Sequence, residues 1–436
     1  MKIQHVDALQ IFDSRGNPTI EVIVTLDDGS QGHGLVPSGA STGQFEAHEL
    51  RDNDAQHFAG KSVGQAIDNV RIHIASALKG MPADSQREID MAMIELDGTS
   101  DKSRLGANAI LGVSMAVANA VAISQKRPLF ESLSNGTGVT LPLPEIQIFG
   151  GGAHANWRTD LQDWLVIATG ANSYSETLEI TFNVYRAAGE ILKSRNALFG
   201  CADEGGYWPA FRCNEEAFDT FAEAVTAAGY TLGKEASLSL DIAASDLYDA
   251  KTKQYSLKLD GKTYDSVAFI DQLIKWCQHY KVISIEDPAA DTDWDSWQQF
   301  YSACAGQLQI IGDDLFTTNP ARIARGIEQN IANSVLIKPN QIGTVSETLD
   351  AITLTQQAGW APVISARSGE TEDAFISHLA VATNSGQLKV GSFTRSERMV
   401  KWNECLRIER HLGRKAKFKG ASALAIGSPV KKVPTM

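Results

Sequence analysis

The chain has 436 residues, of which 43% are hydrophobic and 21% charged, and it carries a formal net charge of −13 at pH 7. That length exceeds one ordinary core and fits a small domain plus a barrel-sized one of about 250 residues or more. An acidic balance of this size repels phosphodiester backbones, so nucleic acid is not an expected partner.

Five cysteines (Cys201, Cys213, Cys277, Cys304, Cys405) form an odd set without CxxC spacing, which argues against a disulfide framework or a zinc site. They read as buried thiols in a reducing compartment. The N-terminal MKIQHVDALQIF lacks the apolar run of a signal peptide, and nowhere do 18 apolar residues follow one another. A soluble cytoplasmic protein with no membrane partner is expected, with disorder confined to the lysine-containing tail after Ile426.

In chain order, Ile20, Val22 and Val24 alternate with Glu21 and Ile23 as a strand, Asp27-Asp28-Gly29 reads as a hairpin turn, and a second strand is expected through Gly34 to Val36. A glycine- and serine-rich loop, Pro37-Ser38-Gly39-Ala40-Ser41-Thr42-Gly43, follows. Helical periodicity then takes over, as in Ala107, Leu111, Met115, Ala118 and Val121. This predicts an α+β capping domain over 1–136. Asn135-Gly136-Thr137-Gly138 and Leu141-Pro142-Leu143-Pro144 have the composition of a linker and a restart.

From 137 to 436 short apolar runs alternate with helical patterns. The runs are 237–241, 282–286, 309–313, 334–338, 362–366 and 387–392. One helix between them is expected to be capped by Asn319 with Pro320 in its first turn, and another to run from Ser346 to Ala358. Such runs read as parallel strands buried on both faces, and the predicted class is α/β with a C-terminal (β/α)8-type barrel.

Asp241, Glu286, Asp313, Lys338, Ala366 and Lys389 are separated by 45, 27, 25, 28 and 23 residues, roughly one strand-helix unit each after the first gap, and most of them end a strand. In a barrel those ends converge on one mouth. Three carboxylates there, without histidine or cysteine, suit Mg2+ rather than Zn2+. They would repel one another unless a cation neutralised them. Lys338, ending Val335-Leu-Ile-Lys, points into the same mouth. Beside a divalent cation its ammonium form is disfavoured, which makes it a candidate general base. Lys389 would supply a second cationic group.

The strings that surround these residues run from Phe12-Asp-Ser-Arg-Gly-Asn-Pro-Thr19 and Val36-Pro-Ser-Gly-Ala-Ser-Thr-Gly43 through Asp203-Glu-Gly-Gly206 and Ser284-Ile-Glu-Asp-Pro288. They continue through Gly312-Asp-Asp-Leu315, Ile337-Lys-Pro-Asn-Gln-Ile-Gly343 and Arg367-Ser-Gly-Glu-Thr-Glu372 to Arg395-Ser-Glu-Arg398. In that order they resemble the enolase family over essentially the whole chain.

The resemblance implies that Asp241, Glu286 and Asp313 hold one Mg2+, and that Ser41 helps hold a second, substrate-assisted Mg2+. It further implies that Lys338 removes the proton alpha to the substrate carboxylate and that Lys389 stabilises the resulting aci-carboxylate. Arg367 and Ser368 would grip a phosphoryl group, His154 would close over it, and Glu204 would assist departure of hydroxide. Lysine bases beside Mg2+ that stabilise an ene-diolate are a known arrangement of that superfamily. The substrate would be a small phosphorylated carboxylate. The assembly would be a homodimer or higher homo-oligomer, with Glu21 and Arg407 matching positions that pair across the family's interface.

Two departures fall on the leaving-group side. Asp163 stands where the family has glutamate in Leu-Gln-Glu, and Ala366 where it has histidine in Ser-His-Arg-Ser-Gly-Glu. Gly150 also replaces an asparagine. A carboxylate shortened by one methylene retracts by about 1.5 Å, and a misplacement near 1 Å costs on the order of 10²-fold in rate. Space left by Ala366 would be filled by water, by Trp157, Trp164 or Trp208, or by a larger substrate. Three readings follow: dehydration of 2-phosphoglycerate to phosphoenolpyruvate, action on an analogue of it as in phosphonate biosynthesis, and a catalytically weak enolase-like binding protein.

Overall fold

The computed structural model of the protein describes residues 1–40 and 43–427; Ser41 and the end of the C-terminal tail therefore lie outside the described residues. The N-terminal part opens with an antiparallel meander of β1 (Ile3–Phe12), β2 (Pro18–Leu26) and β3 (Gln31–Leu35). Strand β1 was not expected from the sequence. A register shift between Ile3 and His5 changes the phase of its side chains, so Ile3, Val6 and Ala8 face inward without strict alternation. The helix Ala107–Ser124 lies on this sheet and is apolar on nearly all sides. It is long and apolar enough to cross a membrane, but 83% of it is buried inside the fold, as in a core helix.

The barrel consists of β4 (Leu143–Gly150), β5 (Asp163–Ile167), β6 (Ser237–Asp241), β7 (Val282–Glu286), β8 (Gln309–Gly312), β9 (Ser334–Ile337), β10 (Ala361–Ser365) and β11 (Gln387–Ser392). It closes by pairing of β11 with β4. Strands β6 to β11 are the six runs expected, and every pair among them is parallel. The sequence reading missed β4 and β5. Strand β5 pairs antiparallel with both β4 and β6, so the barrel is not wholly parallel.

The expected helices are present. Asn319 caps Pro320–Gln329 through its side chain, and Thr344 caps Val345–Gln357. The thiols correct an expectation: Cys277, Cys304 and Cys405 are buried, but Cys201 is exposed and Cys213 half-buried, and all five are free. Cys201 ends the strand Leu198–Cys201 of a hairpin outside the barrel wall, which accounts for its exposure.

The meander is fastened over the mouth. Ser38 and Gly369 exchange both backbone hydrogen bonds at 2.8 and 2.9 Å, and Ser14 N donates to Glu370 O at 2.7 Å. Gly39 and Ala40 are thereby brought into the lining of the central cavity.

Candidate active site

Strand register brings the charged residues together. Asp241 and Glu286 are direct cross-strand partners at the ends of β6 and β7, and Asp313 follows β8. All three are buried. Lys338 follows β9 and is held extended, φ −125°, because Pro339 disfavours the helical region for the residue before it. Lys389 lies within β11, opposite Ser365 on one side and Glu145 on the other.

Lys389 Nζ donates to Asp241 Oδ2 at 2.8 Å and to Glu286 Oε2 at 2.7 Å, while Lys338 Nζ donates to Asp313 Oδ2 at 2.5 Å. These ammonium groups leave negative charge to spare. Glu286 is pushed well above the usual carboxylate range, by burial first and by the charge of Asp241 second. The donors are thus oxygen-only and buried, chemistry that suits a hard divalent cation, and among the described residues the carboxylate oxygens of Asp287, Asp313 and Asp314 lie within 4.8 Å of one another.

Lys338 is drawn in two directions by its surroundings. Burial, the largest single influence, pulls its pKa down, but the charges of Asp313 and Glu286 act together against it and the net direction is up.

Further residues support this set without having been singled out from sequence. Gln162 Nε2 donates to Asp241 Oδ2 at 3.0 Å, and Gln341 Nε2 to Asp313 Oδ1 at 2.8 Å. Asp287, in the left-handed region at φ 43°, accepts from Asp313 N and Asp314 N at 2.9 Å each. Its carboxylate fixes the backbone that carries Asp313.

On the opposite side, Asp163 begins β5 and is the cross-strand partner of Asp241. His154 stands between two carboxylates: its Nδ1 is 3.7 Å from Asp163 Oδ1 and its Nε2 4.0 Å from Glu204 Oε1. Burial opposes the charged imidazole, but Glu204 and Asp163 overcome it and raise the His154 pKa. His154 thus lies among the acids of the cavity that Ala366, Arg367 and Ser368 also line. Trp164 is buried outside the barrel against Phe218, Trp157 is 44% exposed, and Trp208 packs beside Gly200. None of the three lines the cavity at Ala366, so the space that alanine leaves is not filled by tryptophan.

Arg367 and Ser368 line the same cavity. The guanidinium of Arg367 donates to Glu46 Oε2 at 2.9 Å and Asn340 Oδ1 at 3.0 Å, and both residues belong to segments that border the capping loop. The cavity is thus bounded by two lysines, a row of carboxylates, an imidazole and an arginine at the mouth of a closed barrel.

Comparison with known proteins agrees with this geometry. Residues 3–133 match the family described as "Enolase, N-terminal domain", and residues 138–426 that described as "Enolase, C-terminal TIM barrel domain". The chain belongs to the enolase family. It is 50% identical over 427 residues to "Enolase 1" of Desulfitobacterium hafniense (strain Y51), covering 97% of this chain and 98% of that relative. It is an enolase-type hydro-lyase.

Proposed function

We propose that the enzyme catalyses the Mg2+-dependent dehydration of 2-phosphoglycerate to phosphoenolpyruvate, with an elimination step slower than proton abstraction. The observation that carries this reading is the pairing of Lys338 and Lys389 with the strand-end carboxylates in one buried mouth.

When bound by Asp241, Glu286 and Asp313, Mg2+ supplies electrophilic stabilisation of a substrate carboxylate; Ser41 would contribute to a second ion. With Asp313 and Glu286 engaged in that way, the charges that raise Lys338 would be offset while its burial remains, which would favour the neutral amine needed to take the C2 proton. Lys389 would face the charge that gathers on the carboxylate. Arg367, exchanging Glu46 for the phosphoryl group, and Ser368 would fix the other end of the substrate. Glu204, His154 and Asp163 would deliver the proton that leaves with the C3 hydroxyl.

A second reading, an analogue of 2-phosphoglycerate as substrate, is favoured by the unfilled space beside Ala366. We also infer a homodimer in the cytoplasm. Five free thiols suit a reducing compartment. Within one chain Glu21 pairs with His33 and Arg407 with Glu404, so assembly would exchange these partners. Light scattering should give twice the monomer mass; a monomeric particle would remove this assignment.

The deciding experiment incubates the enzyme with 2-phosphoglycerate and Mg2+ in deuterium oxide and follows C2 exchange and phosphoenolpyruvate separately. Exchange that outpaces elimination is expected. Equal rates would remove the slow-elimination claim, and absence of exchange would favour the analogue. Lys338→Ala should lose exchange by about 10²-fold or more while still binding Mg2+.

A further inference from the structure

The acid that the family carries as glutamate is shortened in this chain, yet it is not left loose. Asp163 is buried, and its Oδ1 accepts a short hydrogen bond from Gln147 Nε2. Gln147 is fully buried on β4, and its other amide atom, Oε1, accepts from Gly206 N at 2.8 Å. Gly206 closes the tight loop that presents Glu204: Ala202 N donates to Gly206 O at 2.8 Å, and Gly205 N to Ala202 O at 2.9 Å.

One amide thus joins the Asp163 carboxylate to the loop backbone that carries Glu204, the other acid beside His154. The surroundings leave it no alternative position. A Cβ on Gly206 would lie 2.4 Å from Gln147 Oε1, and a Cβ on Gly150 would lie 3.3 Å from Gln147 Nε2 and 2.5 Å from the Ala202 Cβ. Gly150 and Gly206 are the clearances through which the Gln147 side chain reaches Asp163.

We propose that Gln147 is a positioning residue whose length is matched to that of Asp163, setting the reach of the leaving-group acid and tying it to the loop of Glu204. The proposal rests on the dehydration reading above. The free oxygen of Asp163 faces inward, 3.8 Å from Lys389 Nζ and without a hydrogen-bond partner among the described residues. The Gln147 bond decides which oxygen that is. Lengthening Asp163 to glutamate against a full-length Gln147 would drive the carboxylate about 1.5 Å, one carbon–carbon bond, into an amide that cannot retreat. Shortening Gln147 by the same amount would make that room.

The test reads the ratio of phosphoenolpyruvate formation to C2 deuterium exchange, with 2-phosphoglycerate and Mg2+ as the probe, in four variants. Gln147→Met keeps the volume and loses both hydrogen bonds; its ratio should fall by on the order of 10²-fold, as for a misplaced catalytic group, while exchange reports that the fold and Lys338 are intact. Gln147→Asn and Asp163→Glu should each lower the ratio. The double variant Q147N/D163E should recover it to within a few-fold of the parent, a gain that independent defects cannot give. Additive losses in the double variant, or an unchanged ratio in Gln147→Met, would overturn the proposal.

Amide hydrogen exchange at Gly206, measured without substrate, separates this from failure of the dehydration reading. Loss of protection in Gln147→Met is expected whatever the substrate is. Unchanged protection would sink the bracket by itself.

Discussion

Asp287 shows how a residue of the cavity lining supports the proposed metal site through the backbone. Its two oxygens hold the backbone N–H groups of Asp313 and Asp314, and it occupies a left-handed conformation that asparagine also tolerates. Asp287→Asn therefore preserves shape and backbone while turning one acceptor into a donor that faces an N–H. Mg2+ affinity should fall about tenfold or more, as for other groups that orient metal ligands, and calorimetric titration will read it. Unchanged affinity would mean that Asp313 needs no such support. Asp241, Glu286, Asp313 and Lys338 were legible in the sequence because each ends an apolar run on a parallel strand. Asp163 was found only through the family string. Its strand is antiparallel, so the residue at the mouth comes first in the strand instead of last. Asp287 and Gln147 act on other protein groups, and no spacing rule marks such a task.

Among the elements, β4 explains both a missed strand and a buried liability. Its sequence LPEIQIFG places Glu145 and Gln147 in the barrel interior, which breaks the continuous apolar run by which a buried strand is recognised. Burial raises the Glu145 carboxyl to about 7, against the opposing effects of Lys389 and of hydrogen bonds from Ser239 and Gln309. A raised acid pKa means that, between pH 4.5 and 7, the folded chain keeps a proton that the unfolded chain has released. Stability therefore falls as pH rises through that window. Glu145→Gln should abolish the fall, gaining up to about 3 kcal/mol at pH 8 and almost nothing at pH 4 in denaturation of the metal-free protein. A gain independent of pH would assign the effect to packing. In the capping sheet the constraint is steric. A Cβ on Gly34 would come within 2.2 Å of Gly112 O in the helix Ala107–Ser124, so Gly34→Ala should lift that helix and cost about 3 kcal/mol in thermal or urea unfolding.

At the scale of the molecule, catalysis depends on a capping unit seated on a barrel, and the two kinds of contact at that seam differ in value. Arg87 and Asp350 join them by a bidentate pair at 2.9 and 2.6 Å, but both side chains are about half exposed. Arg87→Ala should change stability by less than about 1 kcal/mol and leave KM alone. The seam at Gly369 is another matter. It pairs backbone to backbone with Ser38, next to Gly39 and Ala40 on the cavity lining and to Ser368 on the other side. A Cβ at Gly369 would stand 2.4 Å from Asp13 Oδ2 and 2.7 Å from Ser38 O. Asp13 has little freedom to retreat, because its other oxygen accepts from Arg15 N at 2.8 Å and Asn17 N at 2.9 Å. Gly369→Ala must therefore part the two backbones, carrying the capping loop away from the mouth while the barrel core stays packed. The expected result is a KM raised about tenfold or more, since a displacement near 1 Å at a positioning contact is felt on the order of 10²-fold in rate. Denaturation should show a smaller loss of stability than Gly34→Ala. A KM equal to that of the parent enzyme would show that the seam at Gly369 does not hold the loop in its working position.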